Sequence, residues 1–257
     1  MRASESLLRL EDLTVTVTLS NGEKKTILRN ITLNLHAGRC LAIVGESGSG
    51  KTTLAKTIAG LLPSSMTVSG SLTTLGLVGY MFQDAGNALN PTRRVIWQVE
   101  EALRAQGVPR ARRRADALDY LARAEIPDVA RYSRLYPHQL SGGLAQRVLI
   151  AAVLAANPSA LIADEPTSAL DVSTQARIGA LLRRLVTQDN IGLMLITHDL
   201  TVAAQIGDDI AVMYQGQIVE HGAVQQVFGN PQHEYTRALV GALPKRARTI
   251  HTKQGAL

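Results

Sequence analysis

The segment Gly45-Glu46-Ser47-Gly48-Ser49-Gly50-Lys51-Thr52 constrains this chain more than any other. It follows the apolar run Cys40-Leu41-Ala42-Ile43-Val44 and leads into residues 52–61, which read as a helix ending near Gly60 and Pro63. Glycines let such a loop curl until successive backbone N–H groups point inward, and the positive end of the next helix adds to their pull. A strand–loop–helix unit of this kind grips phosphate oxygens. Lys51 is spaced to reach the β- and γ-phosphates, Thr52 to offer its hydroxyl to Mg²⁺, and Thr53 to bond the α-phosphate. The competing reading, a chance glycine-rich turn, loses to the segments that follow.

Leu161-Ile162-Ala163-Asp164-Glu165 is an apolar strand ending in two carboxylates. Asp164 suits Mg²⁺; Glu165 suits the general base that positions the attacking water. A second apolar strand, Leu193 to Ile196, runs into Thr197-His198-Asp199, where His198 can hydrogen-bond a γ-phosphate. Leu140-Ser141-Gly142-Gly143-Leu144-Ala145-Gln146-Arg147 opens a long helix over 141–156, with Ser141 as the expected N-cap. That start is a second anion site. One nucleotide rarely needs two helix starts from one subunit, so the second is expected to serve a nucleotide bound to a partner.

The rest of the chain alternates in type. Residues 8–19 carry Leu13, Val15 and Val17 on one face, Asn21-Gly22 signals a hairpin, and 27–35 reads as the returning strand. Helical periodicity holds over 95–106, 111–124 and 141–156, broken at Pro109 and Pro127. Strand 159–163, helix 172–188, strand 192–197 and helix 200–206 then alternate, and strands 209–214 and 217–221 meet at Gln215-Gly216. This order predicts an α/β fold: a mixed, doubly wound sheet with an antiparallel strand group and a helical insertion.

The formal net charge of +6 comes partly from Arg110 with Arg112-Arg113-Arg114 and from a tail carrying Lys245, Arg246, Arg248 and Lys253. The 4% of aromatic residues, with none interleaved in those clusters, argues against a base-stacking surface. A solvated helix face and a frayed terminus are the first reading, nearness to a membrane surface the second. The longest apolar stretch, Val148 to Ala156, is half of the roughly 20 residues that span a bilayer. The start, MRASESLLRLED, is too polar for a secretory signal, so the chain is expected neither to cross a membrane nor to be exported by that route. Cys40, the single cysteine, is expected to be a buried core thiol.

These segments together resemble the ATPase subunit of ABC transporters over nearly the whole chain. Residues 45–52 match Walker A, 140–147 the LSGGQ-type signature, and 161–165 Walker B with Glu165 as catalytic glutamate. Ser168-Ala169-Leu170-Asp171 match the D-loop, His198 the switch histidine, and Gln83, within Tyr80-Met81-Phe82-Gln83-Asp84, the Q-loop glutamine. The resemblance implies a RecA-like P-loop NTPase working with ATP and Mg²⁺. Gly45, Glu46, Ser47, Gly48, Ser49, Gly50, Lys51, Thr52, Thr53 and Gln83 would surround the nucleotide. Thr52, Gln83 and Asp164 would hold the metal, and Glu165 and His198 would be catalytic. Ser141, Gly142, Gly143 and Gln146 would reach the partner's ATP, and Asp171 would belong to the D-loop.

A finer resemblance, to the bacterial peptide/nickel importer subfamily, rests on GESGSGKT (45–52), FQDAGNALNP (82–91), YPHQLSGG (136–143), IADEPTSALDVSTQARI (162–178) and NPQHEYTRALVGALP (230–244). It implies a peripheral subunit on the cytoplasmic face of the inner membrane, paired with an identical or paralogous ATPase. Two permeases and an extracytoplasmic binding protein would complete the importer, which would take up di- or oligopeptides or nickel and related metal chelates. It also implies one ATPase domain over 1–243, with core segments 1–83 and 146–243, a helical subdomain at 84–145 facing the permeases, and a flexible basic tail at 244–257.

Four departures stand out. Val17 occupies the place of an aromatic that stacks on adenine; the span Gly60–Gln83 is short, suggesting a trimmed strand or loop; Asp84-Ala85-Gly86-Asn87 replaces a proline- and methionine-containing stretch; and the chain stops soon after Pro244, which leans toward the metal-chelate branch. Non-transport ATPases of the superfamily fit less well. A DNA-maintenance enzyme needs a long coiled coil between Walker A and the signature, where residues 53–139 lack sustained heptads. A translation-associated one carries two cassettes in a chain.

Overall fold

Three adjacent parallel strands at the middle of one sheet organise the protein. In the computed structural model, which describes residues 6–242 apart from Ala169, β1 (Ser6–Thr18) and β2 (Lys24–His36) form the expected hairpin. Its turn uses Gly22 at φ 81°, with the Gly22 N–H donating to Leu19 O at 2.9 Å. Then come β3 (Cys40–Val44), α1 (Lys51–Ile58), β4 (Met66–Thr74) and β5 (Val78–Met81). Helices α2 (Ala85–Ala88), α3 (Val95–Ala105), α4 (Arg110–Arg123), α5 (Val129–Tyr132) and α6 (Gly142–Ala155) follow, with a 3-10 turn at Pro137–Gln139. The last part runs β6 (Ala160–Asp164), α7 (Val172–Gln188), β7 (Gly192–Thr197), α8 (Leu200–Ile206), β8 (Asp209–Tyr214), β9 (Gln217–Ala223), α9 (Val224–Gly229) and α10 (Glu234–Gly241).

The larger sheet has the order β5-β6-β7-β3-β8-β9, parallel except for β8–β9. The smaller, β2-β1-β4, is antiparallel. Strands β3, β6 and β7 are buried along their whole length, as parallel strands covered on both faces must be. Their side chains alternate between two cores. Leu41, Ile43, Ile162, Met194 and Ile196 pack with Leu10, Leu13, Ile31 and Leu33 of the antiparallel sheet. Leu161, Leu193 and Leu195 pack on the opposite side with the helices, among them Ile150 of α6 and Leu181 of α7. The parallel register pairs Asp164 with Ile196 and Val44 with Thr197, so the carboxyl ends of β6, β7 and β3 finish level, where open α/β sheets bind ligands.

Cys40 is fully buried, as expected, and its thiol pKa is pushed far up by that burial. Among the described residues no helix is long and apolar enough to cross a membrane. Two expectations need correction. The span Gly60–Gln83 is not trimmed of a strand: it holds both β4 and β5. Apart from Met66, every residue of β4 is exposed, so no buried stripe marks it; its partner is β1, with Val15 facing Val68. The helix after the glycine-rich loop also ends earlier, at Ile58. The tail 244–257 lies outside the described residues, as does Ala169 of the D-loop segment.

Candidate nucleotide site

The glycine-rich loop connects β3 to α1, and its glycines have stated reasons. Gly45 has φ 153°, and a Cβ there would stand 2.2 Å from Met213 O; Gly50, at φ 104°, would meet Leu28 Cδ2 at 2.7 Å. The loop is also tied from outside, since Gly216 N–H donates to Ser49 O at 3.0 Å. Gly50 occupies the N-cap of α1 in a left-handed conformation with no side-chain cap, which leaves the first-turn donors of the helix for a ligand. Ser49 Oγ is buried without a hydrogen-bond partner. Lys51 is 6% exposed, and its Nζ donates to Gly45 O at 2.7 Å and Glu46 O at 2.8 Å. Burial lowers its pKa, against the opposing pull of Glu165, Asp164 and Glu46. A buried ammonium, an orphaned hydroxyl and uncapped helix donors on one loop and helix start are the donor set of a polyphosphate site, so the residues fit the group.

The acidic pair sits across from the loop. Thr52 Oγ1 lies 3.4 Å from Asp164 Oδ1, bringing together two of the expected metal-binding groups. Tyr80 Oη donates to Asp164 Oδ2 at 2.9 Å, a contact with no counterpart in the sequence reading. Burial raises the Asp164 pKa, while Tyr80 and Thr52 pull it down. Gln83, expected at the metal, donates instead to Glu165 Oε2 at 3.2 Å and Ser168 Oγ at 3.4 Å. His198 Nδ1 lies 3.1 Å from Glu165 Oε1. Glu165 is therefore held at both carboxylate oxygens by two candidate groups from other strand ends. Its backbone adopts φ 49°, uncommon for a residue with a side chain, and its N–H donates to Ile196 O at 2.9 Å. Gly45, Glu46, Ser47, Glu165, His198, Leu200 and Leu239 line one cleft of about 460 Å³. Leu239 comes from α10, which sequence reasoning did not connect with the site.

The second helix start behaves differently from expectation in one respect. Ser141 occupies the N-cap position of α6, but its side chain makes no capping bond. Ser141 and Gly142 are exposed, whereas Gln146 is 3% exposed and its Nε2 has no partner. A Cβ on Gly143 would stand 2.4 Å from Thr174 Cγ2, so α6 begins in direct contact with the first turn of α7. Asp171 caps that turn, accepting from Thr174 N at 3.0 Å, Thr174 Oγ1 at 2.7 Å and Ser173 Oγ at 2.7 Å. The Ser173 and Thr174 bonds hold its carboxyl well below the usual range. Val172 beside it is 82% exposed.

Comparison with known proteins shows the family of the chain. The ABC transporter family model matches residues 28–168, more than half of the chain. This chain belongs to the ABC transporter family. The oligopeptide transport ATP-binding protein OppD of Lactococcus lactis subsp. cremoris is 40% identical over 96% of this chain and 78% of its own length. The dipeptide transport ATP-binding protein DppD of Bacillus subtilis is 39% identical over 94% and 78%. Among solved structures, the dimeric ATP-binding cassette MJ0796, in a post-hydrolysis state with ADP and Pi, shares 32% identity, with a TM-score of 0.71 over 84% of this chain and 98% of that one. The cbiO1 protein of Clostridium perfringens, part of the ABC transporter complex cbiONQ, gives 28% identity and a TM-score of 0.74 over 95% and 98%. This ABC protein has the α/β P-loop fold expected of it, and it is an ATP-hydrolysing cassette.

Proposed function

We propose that the chain powers a bacterial ABC importer for di- or oligopeptides, working as one half of an ATPase pair. The reading of its site is supported above all by the Gln83–Glu165–His198 cluster beside the glycine-rich loop. Residues 45–53 wrap the phosphates of ATP, and Lys51 stays anchored on Gly45 O at 2.7 Å while its other donors turn to the β- and γ-oxygens. Thr52, Gln83 and Asp164 would hold Mg²⁺, which when bound neutralises phosphate charge. Glu165 positions the attacking water and takes its proton, while His198 hydrogen-bonds the γ-phosphate.

Ser141, Gly142 and Gly143 serve the partner's γ-phosphate. An uncapping Ser141 side chain, exposed backbone and the neighbouring Val172 suit a surface completed by a second ATPase subunit, identical or paralogous. Gln146, in the second turn of α6, is buried and does not stand on that surface. Asp171 fixes the turn that Gly143 packs on. ADP lacks the phosphate that joins the halves, so hydrolysis favours their separation.

In this reading the helices over 84–145 form a subdomain facing the permeases. Phe82, Gln83, Asp84, Asn87 and Ala88 line a groove of about 460 Å³, and Phe82 is 47% exposed. Asp84 shapes its floor by capping α2 through Gly86 N at 2.9 Å and Asn87 N at 3.2 Å. The protein would sit at the cytoplasmic face of the inner membrane, supplied by an extracytoplasmic binding protein. Peptide cargo follows the relatives' names.

Glu165→Gln tests the site: ATP should still bind, and turnover should fall by on the order of 10²–10³. Near-normal turnover would remove Glu165 from the catalytic role. Uptake of labelled dipeptide and of nickel in a deletion strain tests the cargo; loss of nickel uptake alone would assign the metal-chelate branch.

A further inference from the structure

The peptide unit between Gly45 and Glu46 is gripped from two sides. Its carbonyl accepts from Lys51 Nζ at 2.7 Å, and its N–H donates to Tyr235 Oη at 2.9 Å. A planar trans peptide presents these groups in opposite directions, so turning one turns the other. The unit has little room besides, because the side of Gly45 that a Cβ would fill is closed by Met213 O.

Tyr235 is itself well anchored. Its ring packs on Tyr214, the residue after Met213, with centroids 4.3 Å apart. Its N–H donates to His233 Nδ1 at 3.1 Å. Glu220 of β9 accepts from Gln232 N at 2.8 Å and His233 N at 2.9 Å, fixing the entry to α10. One turn further on, Leu239 lines the nucleotide cleft with Glu46, Ser47, Glu165 and His198.

We propose that Tyr235 is a positioning residue for phosphate binding: its hydroxyl sets the orientation of the Gly45–Glu46 peptide, and through that carbonyl the approach of Lys51 to the nucleotide. Helix α10, 189 residues downstream of the loop, thereby helps to set the affinity for ATP. The Glu46 N–H is also withdrawn from the phosphate-facing donors, which leaves that task to the residues nearer α1. This inference rests on the reading of 45–52 as the phosphate loop.

The test is a double-mutant cycle on the full chain, read by ATP titration without turnover. Tyr235→Phe keeps the ring against Tyr214 and removes the hydroxyl. Its Kd and KM for ATP should rise about 3–10-fold, the effect of one hydrogen bond, with kcat at saturation within about twofold. On a Lys51→Ala background the same change should have no further effect, because the hydroxyl acts through Lys51. An unchanged Kd in Tyr235→Phe, or an equal loss on both backgrounds, overturns the proposal. If Lys51→Ala itself binds ATP normally, the phosphate-loop reading fails instead. Amide exchange on the unaltered protein is an independent check: the Glu46 N–H should be strongly protected, and free exchange there overturns the proposal even if Tyr235→Phe does not fold.

Discussion

Gly143→Ala sets two effects of known size against each other. Alanine is the better helix former by about 0.8–1.0 kcal/mol, so on an open helix the change would stabilise. At this position the new methyl would lie 2.4 Å from Thr174 Cγ2. Thr174 cannot turn away cheaply, because its N–H and Oγ1 both hold Asp171, at 3.0 and 2.7 Å. Overpacking of this kind costs about 1–3 kcal/mol. The clash therefore outweighs propensity, leaving a net loss of about 1 kcal/mol and a Tm lower by about 2–4 °C. The start of α6 must shift to relieve it, and with it Ser141 and Gly142, so ATPase activity should fall more than the stability does. Thr174→Ser deletes Cγ2 and keeps the hydroxyl that Asp171 accepts. Adding it to Gly143→Ala should restore both Tm and turnover, measured by thermal melts and phosphate release. A stabilised Gly143→Ala, or a double variant no better than the single one, would refute the packing argument.

Other perturbations separate the roles further. Lys51→Ala should lose most nucleotide affinity in calorimetry, and unchanged binding would contradict the loop assignment. Val17→Tyr should tighten ATP binding severalfold by supplying a face for adenine, about 1–3 kcal/mol when a base stacks on an aromatic; equal affinities would show that Val17 does not face the base. Burial alone would raise the Asp208 pKa, but Arg183, at 2.8 and 2.9 Å, and the Cys40 N–H, at 2.8 Å, outweigh it and hold the carboxyl below its ordinary value. Its stabilising effect is therefore full above the unfolded value and disappears as pH falls through the folded one. Asp208→Asn should destabilise by about 1–3 kcal/mol at neutral pH, reduced by the partial exposure of Arg183, and the two proteins should converge in acid denaturation curves.

How much of this was legible beforehand depended on whether the signal was local. Strands β3, β6 and β7 could be read directly, because burial on both faces demands unbroken apolar runs. The loop at 45–52 and the carboxylates 164–165 could be read because phosphate and metal chemistry fix residue types at short spacings. β4 could not: Met66-Thr67-Val68-Ser69-Gly70-Ser71-Leu72-Thr73-Thr74 is exposed and shows no inward stripe, and its strand character comes from pairing with β1. Helices α2 and α5, at four residues each, are too short to show a period. Tyr80 and Tyr235 were missed because their hydroxyls reach partners 84 and 189 positions away. The available clue was that a half-buried tyrosine usually needs a polar partner, which indicates that a contact exists but does not say with what. The left-handed backbone of Glu165 left no trace either, since its residue type does not call for a positive φ.

Helix α6 packs along its length on α3, α4 and strand β5, yet begins at the exposed Ser141. Fourteen residues make a rod of about 21 Å, and a rod does not bend to suit one end alone. Whatever tilts α3 must swing the tip that carries Ser141 and Gly142, and whatever seizes the tip must in turn displace α3. Force can thus travel either way along a single stiff strut, with no chain of separate rearrangements between its ends.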